Sequence, residues 1–338
     1  MNQNISKVIS FLRFPLILLV VLIHVPRIEN GPEYYNIIST FLSSVVSGIA
    51  VPMFFAISGY LFFLSEFTTT KYCDKLRKRV YSLLIPYLLW NLFSLIVLVL
   101  PHYKSYDFTV ENVLISFWNC HDSFIHAVSS NPIDFPMWYI RDLMICNLMA
   151  PAYYYIIRYT KFMLPLTFIA LWVFGILSPV TGISVIAVAF YSFGAYMAIH
   201  HRNVIDERKG LWSVVGVILF TALCLCLSVV RDMNHREVII CLTSLVGILC
   251  IPSATCKLCK KESSFFNHVC QLTRCSFFIY AAHAIIIKPI YNTLERIGHA
   301  PEIIVYFLTF AVTVGVCYAG WWLSNRFMPR FSKLINGR

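Results

Sequence analysis

The sequence predicts an all-α membrane protein with about ten transmembrane helices. Two observations favour this class. Of the 338 residues, 59% are hydrophobic and 13% are charged, which is more apolar surface than one soluble core can bury. The apolar residues also fall in long runs separated by short polar segments, as membrane-spanning helices require. Because no repeat or low-complexity linker interrupts this pattern, we expect a single domain covering residues 1–338.

Ten apolar runs are long enough to cross a membrane when the chain is scanned with a window of about 20 residues. The first run follows Lys7 as in a signal peptide, but it lacks a small-residue cleavage site, so we expect it to remain as a helix. The predicted spans are residues 8–26, 37–65, 80–100, 136–158, 162–178, 183–200, 211–230, 237–254, 275–293 and 302–327.

The basic residues predict the orientation of these spans. Most of the 27 Lys and Arg residues lie in loops on the same side as the N-terminus, and cytoplasmic loops carry such an excess. We therefore expect both termini to be cytoplasmic. The same distribution accounts for the formal net charge of +11, so we expect no nucleic-acid partner.

The first span contains Arg13 near one end and His24 near the other. An ionisable side chain at membrane depth is costly, so it suggests a functional site. Eleven residues are close to a whole number of helical turns, which places both side chains on one face about 16 Å apart if Pro15 does not bend the helix strongly. The alternative is an arginine that reaches the interface and a histidine at the rim.

The second span ends in a segment with Pro52 and the sequence Ser58-Gly59-Tyr60. Proline opens the helix backbone, and a small-residue pair lets another helix approach closely. Taken alone, this segment favours helix packing over chemistry.

The third span begins with a basic turn in which Lys71, Lys75 and Lys78 share a helix face and Arg79 lies beside Lys75. Such a turn usually marks topology or contacts lipid headgroups. It also suits the phosphates of a cofactor.

The longest interruption is the predicted outer loop, residues 101–135, which contains four acidic residues and an apolar patch. Loops of this length are usually functional or disordered, and the aromatic content argues against disorder. We expect a lid or a re-entrant piece over an outward-facing cavity.

The fourth span begins with Trp138 and Tyr139, which are typical of a membrane interface, followed by Arg141 and Asp142, which are not. Either an ion pair or an arginine facing a wet cavity is required at that depth. The ninth span contains Tyr280 and, three residues later on the same face, His283. By itself His283 is more simply a buried, hydrogen-bonded histidine.

Most of the twelve cysteines lie singly in the spans, where cysteine behaves as a small apolar residue. The exception is Cys256-x-x-Cys259 followed by His268 and Cys270. This group lacks a well-spaced second pair, and we interpret its spacing as accidental and expect no metal.

Taken together, these segments resemble the acyltransferase 3 family of bacterial membrane proteins over essentially the whole chain. The specific parts are the Arg13 and His24 pair, the SGYLF sequence at residues 58–62 and the IPYLLW sequence at residues 85–90. The resemblance implies a multi-pass protein of the bacterial inner membrane. It also implies transfer of an acyl group, usually acetyl, from cytoplasmic acyl-CoA to a hydroxyl of a surface glycan, a lipid-linked sugar or a related acceptor.

The resemblance and the residues suggest three sets of site residues. The catalytic set is Arg13, His24, Arg141, Tyr280 and His283; the donor-binding set is Ser58, Tyr60, Lys75, Lys78 and Arg79; the acceptor-binding set is Trp138 and Tyr139. Many relatives carry a second arginine three residues after the first in the basic motif, and Ser82 stands at that position here. Lys75 and Lys78 are then the expected substitutes, although a lysine is a point charge and not a bidentate fork.

The expected mechanism has His24 as the general base that activates an acceptor hydroxyl. Arg13 orients the donor, and Arg141 or Tyr280 stabilises the oxyanion. Direct transfer and a route through an acylated histidine remain open, as do the acceptor, the acyl chain and the oligomeric state. The alternatives are a polytopic transporter, against which the lack of paired half-chain repeats argues, and a non-catalytic component of glycan export.

Overall fold

The computed structural model describes residues 3–28, 31–105, 108–119, 131–175, 182–202, 210–229, 236–260, 263–297 and 300–338. All regular secondary structure in these ranges is helical, which confirms the predicted all-α class. Part of the predicted outer loop, residues 106–107 and 120–130, lies outside the described residues.

Eight α-helices lie in the described part of the first half of the chain. They are α1 (Gln3–Ile23), α2 (Glu33–Thr40), α3 (Ala50–Phe63), α4 (Thr69–Arg79), α5 (Ile85–Ser94), α6 (Val110–Ser116), α7 (Trp138–Leu148) and α8 (Ala150–Thr160). Between them lie the π-helical segments Phe41–Val46, Val80–Leu84 and Leu95–Val99, and the 3-10 segments Ser47–Ile49, Leu100–Ser105 and Phe135–Met137.

Eight more α-helices complete the described residues. They are α9 (Met163–Val173), α10 (Val185–Ile199), α11 (Gly210–Val229), α12 (Arg236–Lys260), α13 (Ser264–Leu272), α14 (Ser276–Ile297), α15 (Glu302–Phe327) and α16 (Pro329–Ile335), with a 3-10 segment at Thr273–Cys275.

Six helical stretches in the described residues are long and apolar enough to cross a membrane, or seven if the bent pair α8 and α9 counts as one span. The six are Ile5–Ile23, Glu33–Phe63, Thr69–Val99, Val238–Cys256, Ser264–Arg296 and Glu302–Phe327. Val185–Ile199 and Trp212–Leu227 are apolar but shorter. The chain is thus a multi-pass membrane protein, while the predicted number of ten spans and the cytoplasmic position of both termini stay predictions.

The predicted fourth span is divided in the structure. α7 ends at Leu148, and α8 begins at Ala150 with Pro151 in its first turn. Proline has no N–H group for the preceding turn, and it disfavours helical backbone at the residue before it. α8 and α9 then meet at an angle of 105°. A continuous helix over residues 136–158 is therefore not what the chain forms.

The second span stays continuous but irregular. The stretch from Glu33 to Phe63 passes from α2 through a π-helical and a 3-10 segment into α3. In the irregular part, Ser43 donates its hydroxyl to the carbonyl oxygen of Ser39 and Ser47 donates to that of Leu42, both at 2.6 Å. Such bonds compete with the regular helical pattern and are often found where helices bend.

α3 and α10 pack against each other at glycines. A Cβ atom added to Gly59 would collide with the backbone carbonyl of Tyr191, and one added to Gly194 would collide with that of Ala56. The expectation that the Ser-Gly pair permits close helix approach is confirmed, because only glycine lets two helix backbones come this near.

The outer surface of the bundle carries large apolar side chains. Tyr81, Phe93 and Trp212 are exposed, at 65%, 48% and 75%. On a membrane protein such side chains face lipid, whose hydrocarbon tails are as apolar as the side chains themselves, so their exposure carries no hydrophobic penalty.

Replacing Gly194 with alanine tests the α3–α10 contact. The added Cβ overlaps the Ala56 carbonyl of a packed backbone, and overpacking of this kind costs about 1–3 kcal/mol. We expect a lower thermal unfolding temperature in detergent. The control is Gly315→Ala in α15, where nothing lies within 4 Å of the added Cβ. Equal melting temperatures for the two variants would show that the close approach is wrong.

Candidate active site

A cavity of about 620 Å³ lies between α1, α3, α7 and α14. Its walls are largely apolar, and polar groups gather toward its two ends. The polar and aromatic residues that line it are Arg13, His24, Ser58, Arg79, Ser82, Trp138, Tyr139, Thr273, Ser276, Tyr280, Asn336 and Arg338. A concave apolar pocket with a few convergent polar groups is the usual form of a ligand site.

α1 carries a polar residue toward each end of this cavity. Arg13 lies in the helix, and His24 follows directly after its last residue, Ile23. Pro15 lies inside the helix without ending it. Their separation of eleven positions corresponds to a rise of about 16 Å, so the cavity extends along the helix axis.

Three arginines gather at the Arg13 end. Arg79 lies at the end of α4, Arg338 follows α16, and both act electrostatically on Arg13. Among the described residues that line the cavity, none is an aspartate or a glutamate. This end is therefore strongly positive and suits an anionic ligand, because arginine forms bidentate hydrogen bonds to phosphate and carboxylate groups.

The opposite end is built around two histidine rings. The centroids of His24 and His283 are 5.3 Å apart with an interplanar angle of 22°. Phe135 meets the His24 ring edge-on at 4.6 Å. His24 lines the cavity, while His283 is fully buried behind it. The stacked and edge-on contacts fix the plane of the His24 imidazole.

The hydrogen bonds of His283 define its tautomer. Its Nδ1 lies 3.1 Å from the carbonyl oxygen of Ile279 and 2.6 Å from that of Tyr280. Carbonyl oxygens only accept, so Nδ1 carries the proton and donates. The other nitrogen, Nε2, is buried without a hydrogen-bond partner among the described residues. A neutral ring tolerates this better than a charged one, so His283 is a neutral neighbour of His24.

Aromatic hydroxyls occupy the middle of the cavity wall. The Tyr139 hydroxyl lies 3.2 Å from the Ser58 hydroxyl, and the Tyr280 hydroxyl donates to the carbonyl of Pro136. The Tyr139 and Tyr280 rings are 6.2 Å apart. Trp138 lines the same wall. Four of the predicted site residues therefore meet here, between the arginine cluster and the histidines.

Arg141 does not line the cavity. Its Nε and Nη2 each lie 3.1 Å from Asp142 Oδ1, and its Nη1 donates to the Trp118 carbonyl at 2.7 Å. Asp142 Oδ2 accepts the backbone N–H of Ser184 at 2.8 Å, at the start of α10. The ion pair that its membrane depth requires is present, and it ties α7 to the segment after α6 and to α10.

Two of the predicted donor-binding lysines also lie outside the cavity wall. Lys75 donates to the Phe62 carbonyl and to the Ser65 hydroxyl, the latter at 2.9 Å, and so satisfies the last turn of α3. Lys78 is exposed. Tyr60 lines a separate, small apolar pocket beside α10 and α12. Among the described residues that line the cavity, Arg79 is the only one that comes from the basic turn.

No local sequence pattern predicts that Arg338 lines the cavity, because it lies far along the chain from Arg13 and Arg79. A second group not expected from the sequence is Asp134, next to Phe135. Both of its carboxylate oxygens are buried without a hydrogen-bond partner in the described part of the chain. Burial raises the pKa of the Asp134 carboxyl well above its ordinary range, because an apolar environment disfavours the charged form.

No group of three or more His, Cys, Asp or Glu side chains within the described ranges is arranged to hold a metal ion. Cys256 and Cys259 are buried thiols.

Comparison with known proteins identifies the family. A family model described as an acyltransferase domain, that of the acyltransferase 3 family, matches residues 7–322. The chain belongs to this family. It is therefore a membrane acyltransferase, and the predicted resemblance is confirmed. The chain is also 24% identical to the succinoglycan biosynthesis protein ExoH of Rhizobium meliloti (strain 1021), over 100% of this chain and 93% of that protein. No solved structure matches.

Replacing Arg141 with methionine tests whether this residue belongs to the scaffold. The change leaves Asp142 buried beside an apolar side chain, and removal of one partner of a buried ion pair costs about 3–5 kcal/mol. We expect a marked loss of thermal stability in detergent, and partial recovery in the double variant R141M/D142N. Arg13→Met serves as the control, because its guanidinium faces the cavity. A fully stable R141M protein would contradict this assignment.

Proposed function

We propose that this protein transfers an acetyl group from acetyl-CoA to a hydroxyl of a surface glycan or lipid-linked sugar, in the inner membrane of a bacterium. The observation that carries the proposal is a single cavity with an arginine cluster at one end and His24 at the other. The family supplies the class of reaction, and the two ends of the cavity supply the roles of the residues.

The arginine end suits the donor. Coenzyme A has an anionic, phosphate-rich head and a long uncharged arm that ends in the thioester, which supplies an activated acyl group. Arg13 and Arg79 bind the phosphates as charge-assisted hydrogen-bond donors. The apolar wall formed by residues such as Ile17 and Val20 of α1 and Ile57 of α3 accepts the arm. We place no acyl-CoA phosphate on Lys75 or Lys78, whose side chains lie outside this wall.

His24 acts as the general base. A neutral imidazole beside the bound acceptor takes the proton of the hydroxyl as its oxygen forms a bond to the acyl carbon. When the carbon–sulfur bond breaks, the imidazolium returns that proton to the departing thiolate. His283 and Phe135 hold the plane of the His24 ring, and the neutral tautomer of His283 adds no positive charge beside it.

The aromatic wall serves the acceptor and the oxyanion. Trp138 and Tyr139 provide flat faces of the kind on which sugars pack. We assign the Tyr139 and Tyr280 hydroxyls as donors to the developing oxyanion; the Tyr280 hydroxyl must first leave the Pro136 carbonyl. For Arg141 we propose a scaffold role in place of the oxyanion role expected from sequence, because its guanidinium is held by Asp142 and the Trp118 carbonyl.

The choice of a glycan acceptor rests on similarity. The relative in Rhizobium meliloti is named for the biosynthesis of succinoglycan, and the alignment covers this whole chain. Transfer of radiolabelled acetyl groups from acetyl-CoA to glycan in isolated membranes, with and without the gene, tests the proposal together with mass analysis of the surface glycans. Identical acetylation in both strains would overturn it.

Replacing His24 with alanine should abolish transfer while acetyl-CoA still binds. A positioned general base contributes about 10²–10⁴-fold to a rate, and the donor phosphates bind at the other end of the cavity. His268→Ala is the control, because that histidine is exposed on α13, outside the cavity. The measurement is initial rate and acetyl-CoA affinity in the same preparation. Retention of most of the activity by His24→Ala would refute the mechanism.

Replacing Arg79 with glutamine should weaken acetyl-CoA binding about tenfold or more, since a hydrogen bond to a charged group contributes about 1.5–3 kcal/mol. The neighbouring Lys78→Gln removes the same charge from an exposed side chain and should leave affinity nearly unchanged. Equilibrium binding of radiolabelled acetyl-CoA distinguishes the two. Equal effects would show that only the net charge of the basic turn matters.

A further inference from the structure

The segment after α15 folds back onto the bundle beside the cavity. α16 runs from Pro329 to Ile335, and the Trp90 indole of α5 donates to the Ile335 carbonyl at 3.0 Å. The Ile335 side chain is itself buried. A buried indole hydrogen bond and a buried apolar side chain fix the end of α16 in the bundle, so the residues that follow it have a defined position.

Gly337 sets the direction of the chain after α16. It has φ of +67°, in the left-handed region that glycine adopts at helix ends without strain. A Cβ at this position would collide with the backbone of Ser82, one turn after Arg79. The backbone of residue 337 therefore packs directly on the third span, and this contact brings the next residue to the cavity.

Arg338 lies at the arginine end of the cavity with Arg13 and Arg79. Its Nη2 donates to the backbone carbonyl of Arg274 at 2.9 Å, which leaves its other N–H donors available to a ligand. No acidic side chain among the described lining residues neutralises the three guanidinium groups. Like charges repel when brought together, so this cluster gains most when an anion binds between them.

We propose that residues 336–338 form a clasp that supplies Arg338 as a third arginine for the phosphates of the acyl donor. Gly337 is the positioning residue, because it alone fits against Ser82, and Arg338 is the binding residue. The inference rests on the proposed function for the identity of the anion. It adds that donor affinity depends on a segment far from the basic turn of α4 in the sequence.

The test compares two donors that differ in their phosphates. Full-length Arg338→Gln protein, purified in detergent, is measured by equilibrium dialysis with radiolabelled acetyl-CoA and with S-acetylpantetheine, which carries the thioester arm without phosphate. We expect acetyl-CoA binding to weaken about tenfold or more and S-acetylpantetheine binding to stay unchanged. Gly337→Ala, which displaces the clasp, should show the same selective loss.

Arg330→Gln is the matched control, because Arg330 is an arginine of α16 that does not line the cavity. This variant should bind both compounds as the wild type does. The clasp is refuted if Arg338→Gln binds acetyl-CoA normally, or if it loses both compounds equally, as a purely structural residue would. If the wild-type protein itself fails to bind acetyl-CoA, both the proposed donor and the proposed clasp are refuted.

Discussion

The structure depends on how four arginines are accommodated in an apolar helical bundle. A charged side chain among apolar groups is tolerated only where it pairs or reaches a water-filled space. Arg141 follows the first solution, since Asp142 neutralises it. Arg13, Arg79 and Arg338 follow the second, since they line the cavity without an acidic partner among the described lining residues. A paired arginine stabilises the scaffold, and an unpaired one is available to bind.

These two solutions divide the arginines into one that holds the scaffold together and three that line the cavity. The ion pair of Arg141 with Asp142 also holds the start of α10 through the Ser184 N–H, and α10 in turn packs on α3 through glycine contacts. α3 carries Ser58 into the cavity wall. The scaffold pair thus fixes the wall indirectly, without presenting its own charge to a ligand.

Structural features that depend on a single segment of the chain can be predicted from its sequence. The helical period predicts that Arg13 and His24 share one face of the first span, and in the structure both line one cavity. Contacts between segments that are distant in the sequence are harder to predict. Lys75 matches Arg79 in charge and sequence position, yet it is bonded to the end of α3. Arg338 enters the cavity because Gly337 packs on Ser82, a contact that no local pattern records. The break before α8 has a local cause, which is Pro151. Because Pro151 lies within an apolar run, the hydropathy pattern predicts one continuous span there.

The arrangement along the cavity has a consequence for transfer across a membrane. The arginine cluster and His24 are separated by about 16 Å of helix, and the wall between them is mostly apolar. A phosphate-rich head can stay at one end, because moving a polyanion through such a wall would cost many kcal/mol. A sugar hydroxyl can likewise remain at the other end. Under the proposed function, only the uncharged arm and its acyl group then need to enter the apolar part. The cavity would keep the two polar substrates apart and bring their reactive atoms together.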